Sequence, residues 1–584
     1  MELRDAPTAR LHPEGRAGPV AAPTSVVRTV AEAFLVRLRR RGVDRLFVNS
    51  GTDFAPIVEA YARRHESRLD LPDVVVCAHE NLAVSMAHGS YLGDGRMQAV
   101  VLHTSVGTAN AVCAVFNAAR SRVPILLAAG RTPLFEHTRL GARDFPIHWA
   151  QEMFDQAGML REFVAWDYEL RDGAHVTDVV DRAVDVACTE PGGPVYLTLP
   201  REVLAAPMPG TGAPPAPARP APPHPDPGAV ARLADLLATA SFPVVVTADA
   251  GADAHAVVLL DELSRRFGIA VVEQGPRHVN LPADHPLHAG YSVDAVLGEA
   301  DVLCVLDLDV PWIPGTAAPR ADAVVVQCGP DPHFSRYPVR THRADLSITT
   351  TSTALLAGLS AALGTRAVDP GRADRLAARV SGWRARRERV LADEAERTGP
   401  ITKTALNAAL ARVRPPGAVV VNEYWASAEL LASTTPGTWF GTPPAGGLGW
   451  GLPAALGLQM ARPEATVIAA VGDGAYLFAN PAACHHAMAM HDLPVLTVVC
   501  TNGHWGAVQG STLRMYPDGH TAGGGALSPL AQLGPVPDFA AYAEASGGLG
   551  LRVEQRAQLV PALRQALRSV EHDRRPALVD VRCV

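Results

Sequence analysis

Short apolar runs rich in Val, Ile and Leu recur along this chain, separated by stretches long enough for amphipathic helices. A helical pattern over Val27 to Arg40 leads into Leu46-Phe47-Val48. Val74 to Cys77 precedes a helix over Asn81 to Tyr91, and the runs Gln98 to Leu102 and Ile125 to Ala129 follow. A second series holds Val244 to Val246, Ala270 to Val272, Val302 to Leu306 and Ala323 to Gln327. A third holds Val419 to Val421, Val467 to Val471, Val495 to Val499 and Ala577 to Val581. Strands that are apolar on both faces belong to parallel sheets covered by helices on both sides. The pattern predicts an α/β protein of three doubly wound, mostly parallel-sheet domains.

Two breaks separate the series. Ala206 to Gly228 is Pro-rich and reads as a semi-rigid linker. Arg372 to Arg397 is charged around most of a helical circumference and suits an exposed connection. The expected organisation is a disordered tail (1–25), a first domain (26–205), the linker (206–228), a central domain (229–365), a helical linker (366–398) and a last domain (399–584).

Within the last series, Val467 to Val471 feeds the turn Gly472-Asp473-Gly474. A helix-length stretch follows, and after Pro494 the run Val495 to Val499 ends at Thr501-Asn502-Gly503. This strand, turn, helix, strand unit sets one acid and one amide at adjacent strand ends. Their oxygens suit a hard octahedral cation that shares its shell with phosphate, and the glycines let backbone close on a phosphate at a helix N-terminus. The unit reads as a Mg²⁺–diphosphate site. A second Gly-Asp-Gly, 93–95, has no matching amide downstream and reads as a turn before Gln98 to Leu102.

Gly472-Asp473-Gly474, then residues 475–500, then Thr501-Asn502 resembles the thiamine-diphosphate signature of acetolactate synthases, benzoylformate decarboxylases and pyruvate oxidases. That family usually has Asn-Asn, so Thr501 is a departure. The resemblance covers nearly the whole chain from about Val26 and implies pyrimidine-binding, central and diphosphate-binding domains in that order. It implies that Asp473, Asn502 and the His504 backbone carbonyl bind the metal, with Gly472, Gly474 and Ala475 against the cofactor.

The segment from Ala78 to Gly89 resembles the family's catalytic-glutamate helix, with Glu80 just past a buried strand. By resemblance, Glu80 hydrogen-bonds N1′ of the aminopyrimidine, and the resulting 4′-imine removes the C2 proton to form the ylid. A zinc helix is excluded because His-Glu-x-x-His would need His where Ala83 stands. The segment Ala445 to Pro453 does not fit a dinucleotide fingerprint, because Leu452 replaces the last glycine. It resembles the family's Gly-Gly-Leu-Gly segment, in which a backbone carbonyl at Gly447 meets the aminopyrimidine and Leu448 props the bent cofactor. Asn422 to Ser427 occupies the place of a diphosphate-contacting strand end. Trp425 and Ala426 replace the hydroxyl residues of benzoylformate decarboxylase there, and Ser427 is the remaining hydroxyl.

Two strand ends are expected to face the substrate. By resemblance to benzoylformate decarboxylase, Thr52 stands where a serine binds substrate and His103 matches the active-site histidine. A structural, hydrogen-bonded His103 is the alternative. The flavin-binding pattern of acetolactate synthase is missing, with Leu306 to Trp312 at the comparable strand end, which makes FAD doubtful.

Composition narrows the field further. At 584 residues the chain is long enough for three to four domains, and a net charge of −7 gives no case for nucleic acid. The clusters Arg37 to Arg41 and Arg384 to Arg389 read as solvated helix faces. Lys403 is the single lysine and stands at the start of an amphipathic helix, which excludes a P-loop and argues against Schiff-base chemistry. Eight scattered cysteines without a Cys-x-x-Cys pair read as free thiols in a reducing cytoplasm, and no apolar run is long enough for a membrane.

The expectation is a lyase or transferase that decarboxylates a 2-oxo acid with thiamine diphosphate and Mg²⁺ and ligates the enamine to a second carbonyl compound, as acetolactate synthases do. Simple decarboxylation of the benzoylformate decarboxylase type, a flavin-dependent oxidase and a non-catalytic homologue are the alternatives. The resemblance also implies a homodimer or homotetramer. In the family, one subunit's pyrimidine-binding domain faces the other's diphosphate-binding domain, on the reasoning that a single chain's linkers do not bring its own two together.

Overall fold

In the computed structural model, which describes residues 27–209, 215–523 and 529–584, three parallel sheets follow one another along the chain. The first holds β1 (Arg45–Val48), β2 (Asp73–Val76), β3 (Gln98–Leu102), β4 (Ile125–Arg131), β5 (Asp167–Glu169) and β6 (Val195–Pro200), in the order 2-1-3-4-6-5. The second holds β7 (Pro243–Thr247), β8 (Ala270–Glu273), β9 (Val302–Leu306), β10 (Val324–Gly329) and β11 (Leu346–Thr349), in the order 11-10-9-7-8. The third holds β12 (Val419–Glu423), β13 (Trp439–Phe440), β14 (Val467–Gly472), β15 (Val495–Thr501), β16 (Leu549–Val553) and β17 (Ala577–Arg582), in the order 13-12-14-15-17-16. The first and third sheets therefore share one winding order.

The doubly wound reading holds, because central strands such as β3 and β15 are buried along their whole length between helical layers. The order reverses between β1 and β3, between β7 and β9, and between β12 and β14. Such switch points open a crevice at the carboxyl ends of the strands, where open α/β sheets bind ligands. In the second sheet that edge is filled by charge. Arg277 bridges Asp249 (2.5 Å) and Asp309 (3.2 Å), and Arg122 reaches across from the first domain to Asp307 (2.7 Å).

Strands missing from the pattern are short or carry polar residues. β5 is Asp-Tyr-Glu and β13 is only Trp-Phe, while β6 is a buried strand enclosed by Pro194 and Pro200. The stretch after Gly474 is two helices, Asp473–Phe478 and Pro481–Met490, broken at Asn480 (φ 53°) before Pro481. Asp94 ends the helix Glu80–Asp94, and Gly95 caps it at φ 71°. The tail expected at 1–25 lies outside the described residues.

The expectation of a solvated helix face at Arg37 to Arg41 fails, whereas no arginine of the cluster Arg384 to Arg389 is buried. Arg37 and Arg41 are buried and pair with Asp181 and Asp185 on the helix Val176–Cys188, so they tie two helices together. The charged connection is also less exposed than its composition suggests. Arg372 is buried and donates to the carbonyls of Leu237 (2.8 Å) and Ala240 (2.8 Å), while Trp383 donates to the His288 carbonyl (2.8 Å). A guanidinium at a helix C-terminus satisfies carbonyls that have no intrahelical partner. Among the cysteines none is in a disulfide, and all but Cys113 and Cys188 are buried. No helix among the described residues is long and apolar enough to cross a membrane.

The linkers do bring the first and third sheets' domains together within one chain, contrary to the sequence reasoning. The helix Glu80–Asp94 crosses the helix Gly451–Ala461 at two glycines. A Cβ on Gly89 would lie 1.9 Å from the Ala454 carbonyl oxygen, and one on Gly457 would lie 1.8 Å from that of Met86. Only glycine permits backbones to approach so closely.

Candidate active site

The switch point of the third sheet collects the predicted metal residues. β14 and β15 run in register with Gly472 opposite Cys500, so Asp473 and Asn502 emerge side by side. Asp473 is buried, and its carboxylate accepts backbone N–H groups from Gly474 (2.9 Å), Asn502 (3.1 Å) and Gly503 (2.7 Å). Burial pushes its acidity toward higher pKa, and those three bonds oppose the shift. The Asn502 side-chain oxygen accepts from His504 N–H (3.0 Å), and the His504 carbonyl accepts from Gly506 N–H (3.0 Å).

A carboxylate and an amide oxygen at neighbouring strand ends form an oxygen donor set that fits Mg²⁺. A Cβ on Gly472 would meet no described residue within 4 Å, so among the described residues space lies open beside the acid. Gly474 has the opposite requirement, since a Cβ there would sit 2.4 Å from the Trp505 ring. Ala475 is buried behind them. Thr501 faces away, donating its hydroxyl to buried Asp580 on β17 (2.6 Å), which is why a hydroxyl serves where the family signature has an amide.

Beside this, the Gly-rich segment is held by a residue to which the sequence reading gave no role. Glu423, at the end of β12 and fully buried, accepts N–H from Gly449 (2.8 Å) and Gly451 (2.6 Å), one on each carboxyl oxygen. Burial raises its pKa to about 7. Gly447 exchanges two hydrogen bonds with Asn117 of the first domain: its carbonyl accepts at 2.9 Å and its N–H donates at 3.0 Å. Leu448 is half-buried against the apolar core between the domains. Tyr424 stands in the left-handed region (φ 85°) and donates its hydroxyl to the Gly446 carbonyl (2.8 Å). Ser427 is an N-cap: its hydroxyl accepts Leu430 N–H at 3.2 Å at the start of the helix Ala428–Leu431.

The first sheet's switch point holds the other set. Glu80 opens its helix after the cap His79, is largely buried, and accepts from the Asn110 amide (3.1 Å). Thr52 is exposed in the turn after β1. His103 follows β3, and its Nδ1 lies 2.5 Å from Oδ1 of buried Asp53, a partner that the sequence does not single out. That hydrogen bond raises the His103 pKa, burial opposes the rise, and the charges of Asp53 and Glu80 add to it. Ser105 is tied to the Gln151 carbonyl (2.9 Å). Among the described residues, the hydrogen-bond partners of Asp473 and Asn502 belong to the third sheet's domain, and those of Glu80 and His103 to the first sheet's.

Comparison with known proteins agrees with this division. Residues 28–159 match the thiamine pyrophosphate enzyme N-terminal TPP binding domain, and residues 421–581 match the C-terminal TPP binding domain. Sulfoacetaldehyde acetyltransferase of Rhodobacter capsulatus is 28% identical, over 92% of this chain and 92% of its own. Benzoylformate decarboxylase of Pseudomonas aeruginosa is also 28% identical, over 95% of this chain and 99% of its own. An acetolactate synthase large subunit of Mycobacterium tuberculosis is 26% identical over 91% and 92%. Among solved structures, benzoylformate decarboxylase from Polynucleobacter necessarius superposes with a TM-score of 0.77 at 21% identity, covering 96% of this chain and 99% of that one, which shows the shared fold. With both cofactor domains matched and each holding its set of polar strand-end residues, the chain belongs to the thiamine pyrophosphate enzyme family.

Proposed function

We propose that this protein decarboxylates a 2-oxo acid with thiamine diphosphate and Mg²⁺. The observation that carries the reading is the placement of Glu80 and His103 at the first sheet's switch point and of Asp473 and Asn502 at the third's. When bound, the cofactor supplies a carbon that accepts the electron pair left as carbon dioxide departs. Asp473, Asn502 and the His504 carbonyl would hold the metal, Gly472, Gly474 and Ala475 would border the diphosphate, and Leu448 would support the rings beside Gly447. Glu80 would hold a proton at the aminopyrimidine. Thr52 would bind the substrate at the mouth of the site.

The fate of the decarboxylated carbon then rests on His103. Its Nδ1 contact to Asp53 favours an imidazolium that delivers a proton from Nε2 in place of the lost carboxylate, giving an aldehyde, and draws the proton back from water. Carboligation to a second carbonyl, the preference from sequence, is the second reading. The similarity to an acetyltransferase and an acetolactate synthase supports it. Exposed apolar residues such as Phe145 (63%) and Trp149 (49%), on the loop whose Gln151 binds Ser105, support a second copy completing each site in a homodimer or homotetramer. A panel of 2-oxo acids, each with and without aldehyde acceptors, is the test: carbon dioxide with aldehyde supports decarboxylation, hydroxyketone supports ligation, and no carbon dioxide from any acid refutes both.

A further inference from the structure

We infer that Asp53 is a positioning residue that grips the His103 imidazole by Nδ1 and leaves Nε2 as its free proton-handling atom. The inference rests on the proposed role of His103 and adds a residue to it.

Three features of the fold build this pair. Asp53 is 6% exposed and lies in the turn after β1, while His103 follows the neighbouring strand β3, so the switch point itself brings them together. A buried carboxylate is costly without partners. This one has Nδ1 of His103 at 2.5 Å on Oδ1 and Thr104 N–H at 3.4 Å on Oδ2.

Two glycines make room for the pair. A Cβ on Gly51 would fall 2.1 Å from His103 Nδ1, and a Cβ on Gly130, on β4, would fall 1.7 Å from Asp53 Oδ2. The backbone after His103 is bent to suit, with Thr104 at φ 34° in a region that L residues rarely adopt. The pair is therefore packed on both sides, and the His103 side chain keeps 18% of its surface, enough for one edge to meet a ligand.

The charged and titratable groups around the ring are Asp53, Glu80 and His148. Two carboxylates against one further imidazole favour the charged ring. An amide in place of Asp53 would accept from Nδ1–H equally well but would carry no charge. Asp53→Asn thus separates orientation from electrostatics.

The test is ¹⁵N NMR of histidine-labelled protein holding thiamine diphosphate and Mg²⁺, with His103 assigned by its loss in His103→Gln. In the wild type, the neutral ring at high pH is expected to carry its proton on Nδ1, with Nε2 bare. In Asp53→Asn, the proton affinity of His103 is expected to fall by about tenfold. The alkaline limb of the decarboxylation profile should move to lower pH by the same factor. A wild-type neutral ring protonated on Nε2, a reading that needs no variant to fold, overturns the inference. So does an unchanged titration in Asp53→Asn. A shifted titration with an unmoved rate profile upholds the Asp53 grip and refutes instead the reading of His103 as the group that moves the proton.

Discussion

Glu423 offers the most quantitative perturbation. Its carboxyl is fully buried, takes two backbone N–H bonds from Gly449 and Gly451, and has its pKa raised from 4.5 to about 7, chiefly by burial. A carboxyl whose pKa rises on folding binds protons more tightly in the native state. Its contribution is therefore complete below about 4.5, and it is lost as pH climbs through about 7. The difference corresponds to about 3 kcal/mol across that window. Glu423→Gln removes the titration and turns an amide N–H toward one backbone N–H, a constant cost of about 1–3 kcal/mol. Chemical denaturation of wild type and variant at pH 5 and pH 8, followed by a probe in the last domain, should show the variant less stable at pH 5. The gap should close or reverse at pH 8. Because other buried acids titrate equally in both proteins, the double difference isolates Glu423. A variant whose deficit is the same at both pH values would refute the argument that burial dominates this group.

The other outcomes are simpler. Glu80→Gln should slow C2–H/D exchange of bound thiamine diphosphate by orders of magnitude with little change in cofactor affinity, as measured by quenched-flow NMR. Asp473→Ala should abolish Mg²⁺-dependent binding of thiamine diphosphate in isothermal titration while circular dichroism stays native, because the residue lies at a strand end. Gly89→Val should cost about 1–3 kcal/mol or more on thermal unfolding, since its side chain would meet the Ala454 carbonyl where a bare Cβ already stands at 1.9 Å.

How far the sequence carried depends on where a residue's partners lie. Asp473 and Asn502 were legible because each closes an apolar strand of its own, and parallel neighbours in a βαβ unit bring such ends together. Thr501 was legible as a departure but not as a solution, because Asp580, which satisfies it, comes from a strand much later in the chain. Glu423 was hidden for a related reason: its partners are backbone N–H groups of a glycine segment, which carry no side-chain signature. Asp53 stands next to Thr52, yet only the adjacency of β1 and β3 reveals its contact with His103. Charge runs misled most. Arg37, Arg41 and Arg372 read as solvent-facing by composition and are buried by specific acids and helix-end carbonyls that periodicity does not show.

The same chain that packs its two cofactor domains together still leaves each set of site residues on its own side of the contact, and this bears on how the site is completed. Asn117 and Asn81 bind Gly447 and Gly449 across that contact, so the Gly-rich segment is already engaged by its own chain. The apolar residues Phe145, Trp149 and Phe478 lie exposed, the first two on the loop next to Ser105 and the third on the helix that starts at Asp473. A two-fold partner covering both surfaces would bring one copy's Glu80 to the other's Asp473. Mixing inactive Glu80→Gln and Asp473→Ala proteins in equal amounts under subunit exchange then restores one intact site in each mixed pair. With random pairing, half the pairs are mixed and half their sites intact, giving about a quarter of wild-type activity. Recovery near that value establishes sites shared between copies. No recovery despite exchange shown by mass spectrometry would place Glu80 and Asp473 of one chain in the same site and make the intrachain helix crossing the catalytic contact.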